Sequence, residues 1–441
     1  WPNGEAHVVD YKLTKMDVRS EDSRLVGAMT FAVGGPVLGV KDVNLRAEPV
    51  NFDLLRTLNG RPFAVDWQGN LRGTVVARGG PLTHFVVDTS HLTFQDAHVK
   101  GAVSVVSGRG ELDILDPAFT AFHHFNVASP GIDLRTIQYL YPNFPRLLGT
   151  ASGSATLDSS WLDVRFSNAD VSLHTPGAPR SRLLGSGRVT VGDTVMTYDA
   201  SLFADSLSLT ALGRSYPKLP VHGLYSGTIR TVGTVENLYV NASLHGPAGS
   251  FTFDGHVDAF PPGYGVHGGG RVTAANPAAM LVAGHAPAGS LNGNYAVDFT
   301  GDSLANLAGG ATVSLERSEF DGVHVFTSRA RVRLDSGRVH VDTLRLETSA
   351  ATITASGALG LHAGIVDTLN YDANVDSLGG LRPFLQTDAA VKSGKADSLA
   401  GALSMTGFLT GNLDSLNVRG QLFGSSLYRN KDRGASARGK V

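Results

Sequence analysis

The 441-residue sequence contains no cysteine, and only 17% of its residues are charged. Without cysteine the chain has no disulfides, no thiolate metal ligands and no thiol nucleophile. Its formal net charge of −2 argues against a nucleic-acid partner, because proteins that bind nucleic acid usually carry a basic surplus. No apolar run approaches the ~18 residues of a membrane-spanning helix, and no signal peptide is present.

Catalytic signatures are missing as well. No serine has a glycine two residues before and two residues after it, so there is no nucleophile elbow. A phosphate-binding loop and a zinc-binding His-Glu-x-x-His helix are also missing. Gly268-Gly269-Gly270 is not a dinucleotide fingerprint, because the last glycine of the Gly-x-Gly-x-x-Gly pattern and the helix that should follow it are both missing. We therefore expect a protein that is not an enzyme and needs no cofactor.

The sequence is rich in glycine and in stretches where apolar and polar residues alternate. It contains 53 glycines, well above the usual ~7%. Leu162, Val164 and Phe166 alternate with Asp163 and Arg165, and similar alternation recurs along the chain. Alternation over four to eight residues, with turns every ~8–12 residues, predicts many short strands that each have one apolar and one polar face.

Helical signals are few and short. Asp133–Tyr141 begins with a capping aspartate and stops before Pro142, and Asn276–Val282 begins with a capping asparagine followed by proline. Weaker signals cover Asn51–Leu58 and Ser377–Leu385. Each segment is about two turns long, so we expect it to pack on a larger structure.

A degenerate repeat runs through the chain. One element of the repeat is a glycine that precedes a leucine by nine residues, or by eleven where the turn between them is longer. These glycines are Gly73, Gly153, Gly227, Gly293 and Gly407. The second element is Asp-Ser-Leu, which we expect to open a strand after a turn. The motif begins at Asp205, Asp302, Asp376, Asp397 and Asp414. One carboxylate per motif is too few for calcium, and Asp and Ser are favoured in turns for their bonds to their own backbone.

Histidines offer a competing metal hypothesis. His245, His256 and His267 recur every eleven residues, a spacing that could stack them on neighbouring strands. The same spacing arises if a strand and its turn take about eleven residues, and acidic partners are lacking nearby. His123-His124 lies among phenylalanines and is interpreted as a packed or surface turn. We expect no metal.

Two architectures fit the alternation. The apolar faces could form the cores of β-sandwiches, or one long sheet could bend into a trough with an apolar inner face. The repeat continues without linkers, and the apolar positions are mostly small and aliphatic, which suits a trough. The pattern alone leaves both open.

These motifs resemble a known family. The glycine-to-leucine hairpins, the Asp-Ser-Leu motifs, the short connectors and stretches such as Leu71-Arg-Gly-Thr74 and Gly223-Leu-Tyr-Ser-Gly-Thr228 are similar to the AsmA-like and TamB proteins of bacterial envelopes. The similarity runs over nearly the whole chain, although each motif is degenerate.

The resemblance implies an all-β fold, an elongated repetitive antiparallel sheet bent into a U-shaped groove with a few short connecting helices. It implies a non-enzymatic, periplasmic bridge that carries phospholipid between inner and outer membranes and supports outer-membrane biogenesis. It also implies an inner-membrane anchor in an N-terminal helix outside this segment, and partners that include an outer-membrane assembly barrel and other envelope proteins. The alternatives are a scaffold or chaperone for outer-membrane protein assembly and a surface adhesin or passenger-type repeat protein.

We expect one continuous module cut at both ends, because the chain begins with Trp1 and stops at Val441 in a strand-like stretch. Its approximate units are 1–130, 131–213, 214–275, 276–376 and 377–441. A shift of one residue would exchange the two faces of a strand. The residues predicted to line the lipid groove are Leu162, Val164, Phe166, Leu238, Val240, Phe251, Phe253, Leu416 and Val418.

Overall fold

The computed structural model describes most of the chain. The described residues are 8–34, 39–54, 67–79, 84–113, 121–142, 144–160, 162–192, 195–217, 221–260, 263–280, 288–302, 306–335, 337–361, 364–381, 399–412, 415–429 and 432–440. Nearly all of them lie in antiparallel strands, so the predicted all-β fold with few short helices is confirmed.

The strands are β1 Val9–Ser20, β2 Ser23–Val33, β3 Gly39–Asn51, β4 Gly69–Gly79, β5 Phe85–Asp96, β6 Val103–Asp113, β7 Ala121–Asp133, β8 Thr150–Ser160, β9 Asp163–His174, β10 Ser181–Val191, β11 Met196–Ser208, β12 Leu224–Thr234, β13 Asn237–Gly246, β14 Gly249–Asp258, β15 Tyr264–Ala275, β16 Gly289–Gly301, β17 Ala308–Leu315, β18 Ser318–Phe320, β19 Val323–Val325, β20 Ser328–Asp335, β21 Arg338–Glu347, β22 Ala351–Gly360, β23 Asp367–Val375, β24 Leu399–Asn412, β25 Ser415–Arg429 and β26 Asp432–Lys440. The helices are α1 Leu134–Leu140, α2 Leu209–Ser215, α3 Pro277–Met280 and a 3-10 helix at Leu378–Leu381.

Contacts divide the chain into two compact units. Unit 1 comprises residues 1–219 and 224–235, and unit 2 comprises residues 220–223 and 236–441. Unit 1 holds β1 to β12 with α1 and α2, whereas unit 2 holds the remaining strands, α3 and the 3-10 helix. The interpretation as one continuous module with boundaries near 130, 213, 275 and 376 stays a prediction.

Each unit is a ladder of strands that follow one another in the sequence. In unit 1, every strand from β1 to β12 pairs antiparallel with the next. In unit 2 the ladder runs from β13 to β17, continues directly to β20 and ends at β26. The short β18 and β19 form a hairpin beside the start of β16. Among the described residues, no pairing joins the first strand of a unit to its last.

One junction recurs after every fourth strand from β3 to β15. A bulge lies near the end of the strand, the last residue of the strand or the one after it caps a helical turn, and the strand after the helix places a glycine opposite the start of the bulge. The capping side chains, which accept a backbone N–H two or three residues on, are Asn51, Asp133, Ser208 and Asn276. The opposed pairs are Ala47 with Gly73, Ser129 with Gly153, Ala204 with Gly227 and Val272 with Gly293. The fold is therefore repetitive, with four strands and a helical turn per repeat.

The glycine of this junction has a steric cause. Gly153 has a φ of +148°, and a Cβ built on it would lie 2.0 Å from the carbonyl oxygen of Asp170 on the next strand. Gly73 would bring a Cβ to 1.9 Å from the carbonyl of His91. Gly407, predicted to be equivalent, is not: it lies inside β24, opposite Tyr371 and Gly420. The same spacing spans a different part of the hairpin there: Leu416 lies inside β25, whereas Leu162, nine residues after Gly153, lies in the turn before β9.

Most predicted helices are present. Asp133 caps α1 and Asn276 precedes α3, as expected. Helical residues 52–54 and Leu378–Leu381 fall in the two weaker segments, whose remainders lie outside the described residues. The helix α2 was not predicted, although Ser208 caps it in the same way.

Two expectations about strands are wrong in part. Most strands are longer than the short strands predicted from alternating runs of four to eight residues, and β25 spans 15, although β17 and β20 span eight residues and β18 and β19 three. Asp-Ser-Leu does not open strands at Asp205, which lies near the end of β11, or at Asp376, which follows the end of β23. Asp302 follows the end of β16. Asp397 and Asp414 lie outside the described residues, but the described residues of their motifs begin β24 at Leu399 and β25 at Ser415, as predicted.

Candidate functional site

The register sorts side chains onto two faces of each ladder, because residues paired across strands point to the same side. In unit 1, Val164 pairs with Val189, which pairs with Tyr198. The adjacent row on the opposite face consists of Arg165, Arg188 and Asp199. We call these sides the apolar face and the polar face.

The apolar face extends over every paired strand of unit 1. It begins with Val9, Tyr11 and Leu13 on β1, which are 50%, 56% and 42% exposed. Among the described paired positions of this face, the one charged residue is Asp96 at the end of β5. Its Oδ1 accepts the backbone N–H groups of His98 and Val99, so the carboxylate acts as a turn cap.

Unit 2 has the same division. Leu238 and Val240 on β13 share the apolar face with Phe251 and Phe253 on β14. On β25, Leu416 and Val418 lie opposite Gly411 and Leu409 of β24 on that face. From β13 to β24, the described part of this face again carries one charged residue at a paired position. It is Asp367 at the start of β23.

Aromatic rings lie over glycines on the apolar face. A Cβ built on Gly108 would come within 2.5 Å of the Phe125 ring, and one on Gly187 within 2.7 Å of the Phe166 ring. In unit 2, the Tyr295 hydroxyl on β16 reaches across β15 and donates to the carbonyl of Thr252 on β14 at 2.9 Å. Because glycine has no side chain, a large ring on a neighbouring strand can occupy the space above it. Composition suggested turns as the role of glycine, and these positions show a second one.

The structure places eight of the nine predicted lining residues in strands, on the apolar face. The exception is Leu162, which lies in the turn before β9 and is 36% exposed. Leu416 and Val418 are 45% and 47% exposed, and the other six are half-buried. Their contact with lipid stays a prediction. Sequence reasoning missed Val189 and Tyr198 of the same rows, although their alternation with Arg188 and Asp199 was visible.

The polar face is held by ion pairs between strands. Arg188 donates to Asp163 at 2.7 Å, and Arg182 donates to Asp170 at 2.7 Å. The Arg188 guanidinium lowers the pKa of the Asp163 carboxyl, and Arg182 does the same for Asp170. The charges of these arginines and aspartates are therefore paired with each other on the polar face.

The recurring histidines also lie on the polar face. His256 pairs with His267 across β14 and β15, whereas His245 pairs with Ser250. The Nδ1 atom of His256 is 2.7 Å from Oδ1 of Asn237. Within the described part of the chain, no group of three histidine or acidic side chains is arranged to hold a metal ion.

Burial on the apolar face raises the pKa of Tyr198 from 10.0 to about 12. The folded state therefore retains the phenol proton more strongly than the unfolded state, so the free energy of unfolding should be constant below pH 10 and fall between pH 10 and 12. The loss is at most about 2–3 kcal/mol. Urea titrations at pH 9 and about pH 11 should show about half of this loss in the parent chain, because pH 11 lies midway between the two pKa values, and a smaller loss in Tyr198→Phe. Equal losses would contradict the assignment.

Comparison with known proteins returns no match: no family model, curated protein or solved structure matches the chain. Among the described helices, none combines the length and the apolar character that a membrane crossing requires.

Proposed function

We propose that the apolar faces of this protein carry phospholipid acyl chains, so that the chain acts as a non-enzymatic lipid bridge. The observation that supports this most is the separation of side chains by register. In each unit the apolar side chains form a surface that continues from strand to strand, and paired charged residues are confined to its strand ends. Part of this surface is exposed, as at Tyr11 and Val418.

The energetics suit acyl chains. Removing a methylene group from water contributes about 0.8 kcal/mol, so a long chain gains affinity from every part of its length. Neighbouring positions on the face offer similar aliphatic contacts, and rings such as Phe125 and Phe166 occupy the space that glycine leaves free. A lipid would therefore gain no large preference for one position over the next, which permits sliding.

The cellular setting of the proposal comes from the resemblance to AsmA-like and TamB proteins. We propose a periplasmic location between inner and outer membranes, and a role in outer-membrane biogenesis with an outer-membrane assembly barrel as partner. In that setting the membrane anchor would belong to parts of the protein outside this segment.

Site-specific photo-crosslinking tests the proposal. A photoreactive residue at Phe166, Val240 or Val418 should label phospholipid in cells, detected by mass spectrometry of the purified adduct. The matched controls are Arg165, Ser243 and Asn417, which lie on the polar face of the same strands. Equal lipid labelling from both sets would contradict the proposal. Labelling of outer-membrane proteins instead of lipid would favour the assembly-scaffold alternative.

A further inference from the structure

The polar face of unit 2 contains a hollow whose side-chain rows belong to that face, although Tyr371, Gly407, Val418 and Gly420, which lie between them in the strands and face the other way, also contribute to its lining. Strands β22 to β25 form this open depression of about 960 Å³, within the size range of ligand sites. It lies wholly within unit 2.

Two rows of side chains cross the hollow. The first row pairs Ser356 with Asn370, Phe408 and Arg419 in turn. The second pairs Thr354 with Asp372, Thr406 and Gln421. Because adjacent strands are ~4.8 Å apart, the four positions of a row span about 14 Å. The hollow is therefore a grid of polar groups with a single aromatic ring in its first row.

The polar groups of the grid are largely uncommitted. Asp372 accepts a hydrogen bond from Asn374 at 2.9 Å. Within the described residues, the side chains of Asn370, Arg419 and Gln421 make no hydrogen bond or ion pair with another side chain. This differs from β9 to β11, where Arg182 and Arg188 are each paired with aspartates. Donors and acceptors thus remain available to a ligand.

The character of the grid favours a neutral, hydroxyl-rich ligand. One arginine and one aspartate balance each other, so a small anion would meet Asp372 as well as Arg419. Amide, guanidinium and carboxylate groups can each bond two neighbouring hydroxyls, as their planar donors and acceptors allow. Phe408 is 37% exposed and offers its ring to the apolar face of a sugar.

We propose that this hollow binds carbohydrate, as a short oligosaccharide of pyranose rings stacked on Phe408 and hydrogen-bonded by Asn370, Arg419 and Gln421. This site is independent of lipid binding, since it lies on the opposite face of the sheet. A bridge with such a site would hold a glycan on the polar face of unit 2 while lipid occupies the apolar face.

Calorimetry and saturation-transfer NMR on the 441-residue chain test the site. The probes are three tetrasaccharides: β-1,4-linked glucose, α-1,4-linked glucose and β-1,4-linked N-acetylglucosamine. We expect saturable binding of at least one probe at millimolar concentration or below. Phe408→Ala should weaken that binding about tenfold through loss of ring stacking.

The matched control is Phe423→Ala. Phe423 lies on the polar face of β25, is 38% exposed and is outside the hollow. It should bind the sugar as the parent does. Absence of saturable binding of all three probes would overturn the proposal, as would equal weakening by both variants. Binding of inorganic phosphate that displaces the sugar would overturn it in favour of an anion site. Lipid crosslinking from Val240 is expected to be unaffected by Phe408→Ala.

Discussion

Replacing Val240 by aspartate should abolish lipid transfer while leaving the chain folded. Val240 lies on the apolar face opposite Gly255, in a half-buried position from which a carboxylate can still reach water. An acyl chain passing over that position would have to desolvate the charge, at a cost of several kcal/mol. We therefore expect transfer between donor and acceptor vesicles to fall at least a hundredfold.

Ser243→Asp is the matched control for this substitution. Ser243 is three residues further along β13, is exposed and pairs with Thr252 on the polar face. It should transfer lipid at the parent rate. Circular dichroism and urea unfolding should show both variants folded. If Val240→Asp alone unfolds the chain, the apolar face is a packed core rather than a lipid surface, and the β-sandwich alternative gains support.

Gly153→Ala should destabilise unit 1 strongly. An added Cβ would lie 2.0 Å from the Asp170 carbonyl oxygen, and the φ of +148° strains any residue with a side chain. Backbone strain and steric overlap each cost on the order of 1–3 kcal/mol, so we expect a loss of about 3 kcal/mol or more. The free energy of unfolding in urea, followed by Trp fluorescence, measures the change.

Gly131→Ala provides the comparison. Gly131 is on β7, the strand that pairs with the strand carrying Gly153, and a Cβ there would meet no atom within 4 Å. Its substitution should change stability by less than about 1 kcal/mol. Equal effects of the two alanines would show that the contact with Asp170 is not what excludes a side chain at the junction.

The period of two predicted the faces correctly where strands are regular. Leu238 to Leu244 alternate without interruption because β13 pairs with β14 without a bulge. At β9 a bulge near Asn168, whose φ is +50°, shifts the alternation, so that Phe166 and Ala169 share a face. Such shifts follow from pairing between strands and leave little trace in the local pattern of one strand.

The repeat was visible in the sequence, but its cause was not. The glycines at 73, 153, 227 and 293 were recognised as equivalent by their spacing. That each opposes a bulge follows from pairing with the preceding strand, across a helix and loop of variable length. The polar hollow escaped sequence reasoning for a related reason, since its rows join residues as distant as Thr354 and Gln421.

The junction that recurs every four strands determines how the ladder of strands can grow longer. Antiparallel strands alternate in direction, so the helical turns after β3, β7 and β11 all emerge at one edge of unit 1. Duplication or loss of a whole block preserves that edge and both faces, whereas insertion of a single strand reverses the direction of everything after it. Modular growth would therefore proceed in steps of about 19 Å, four strand spacings at a time. Copying one block would therefore lengthen the ladder while leaving unchanged the two faces that the block carries.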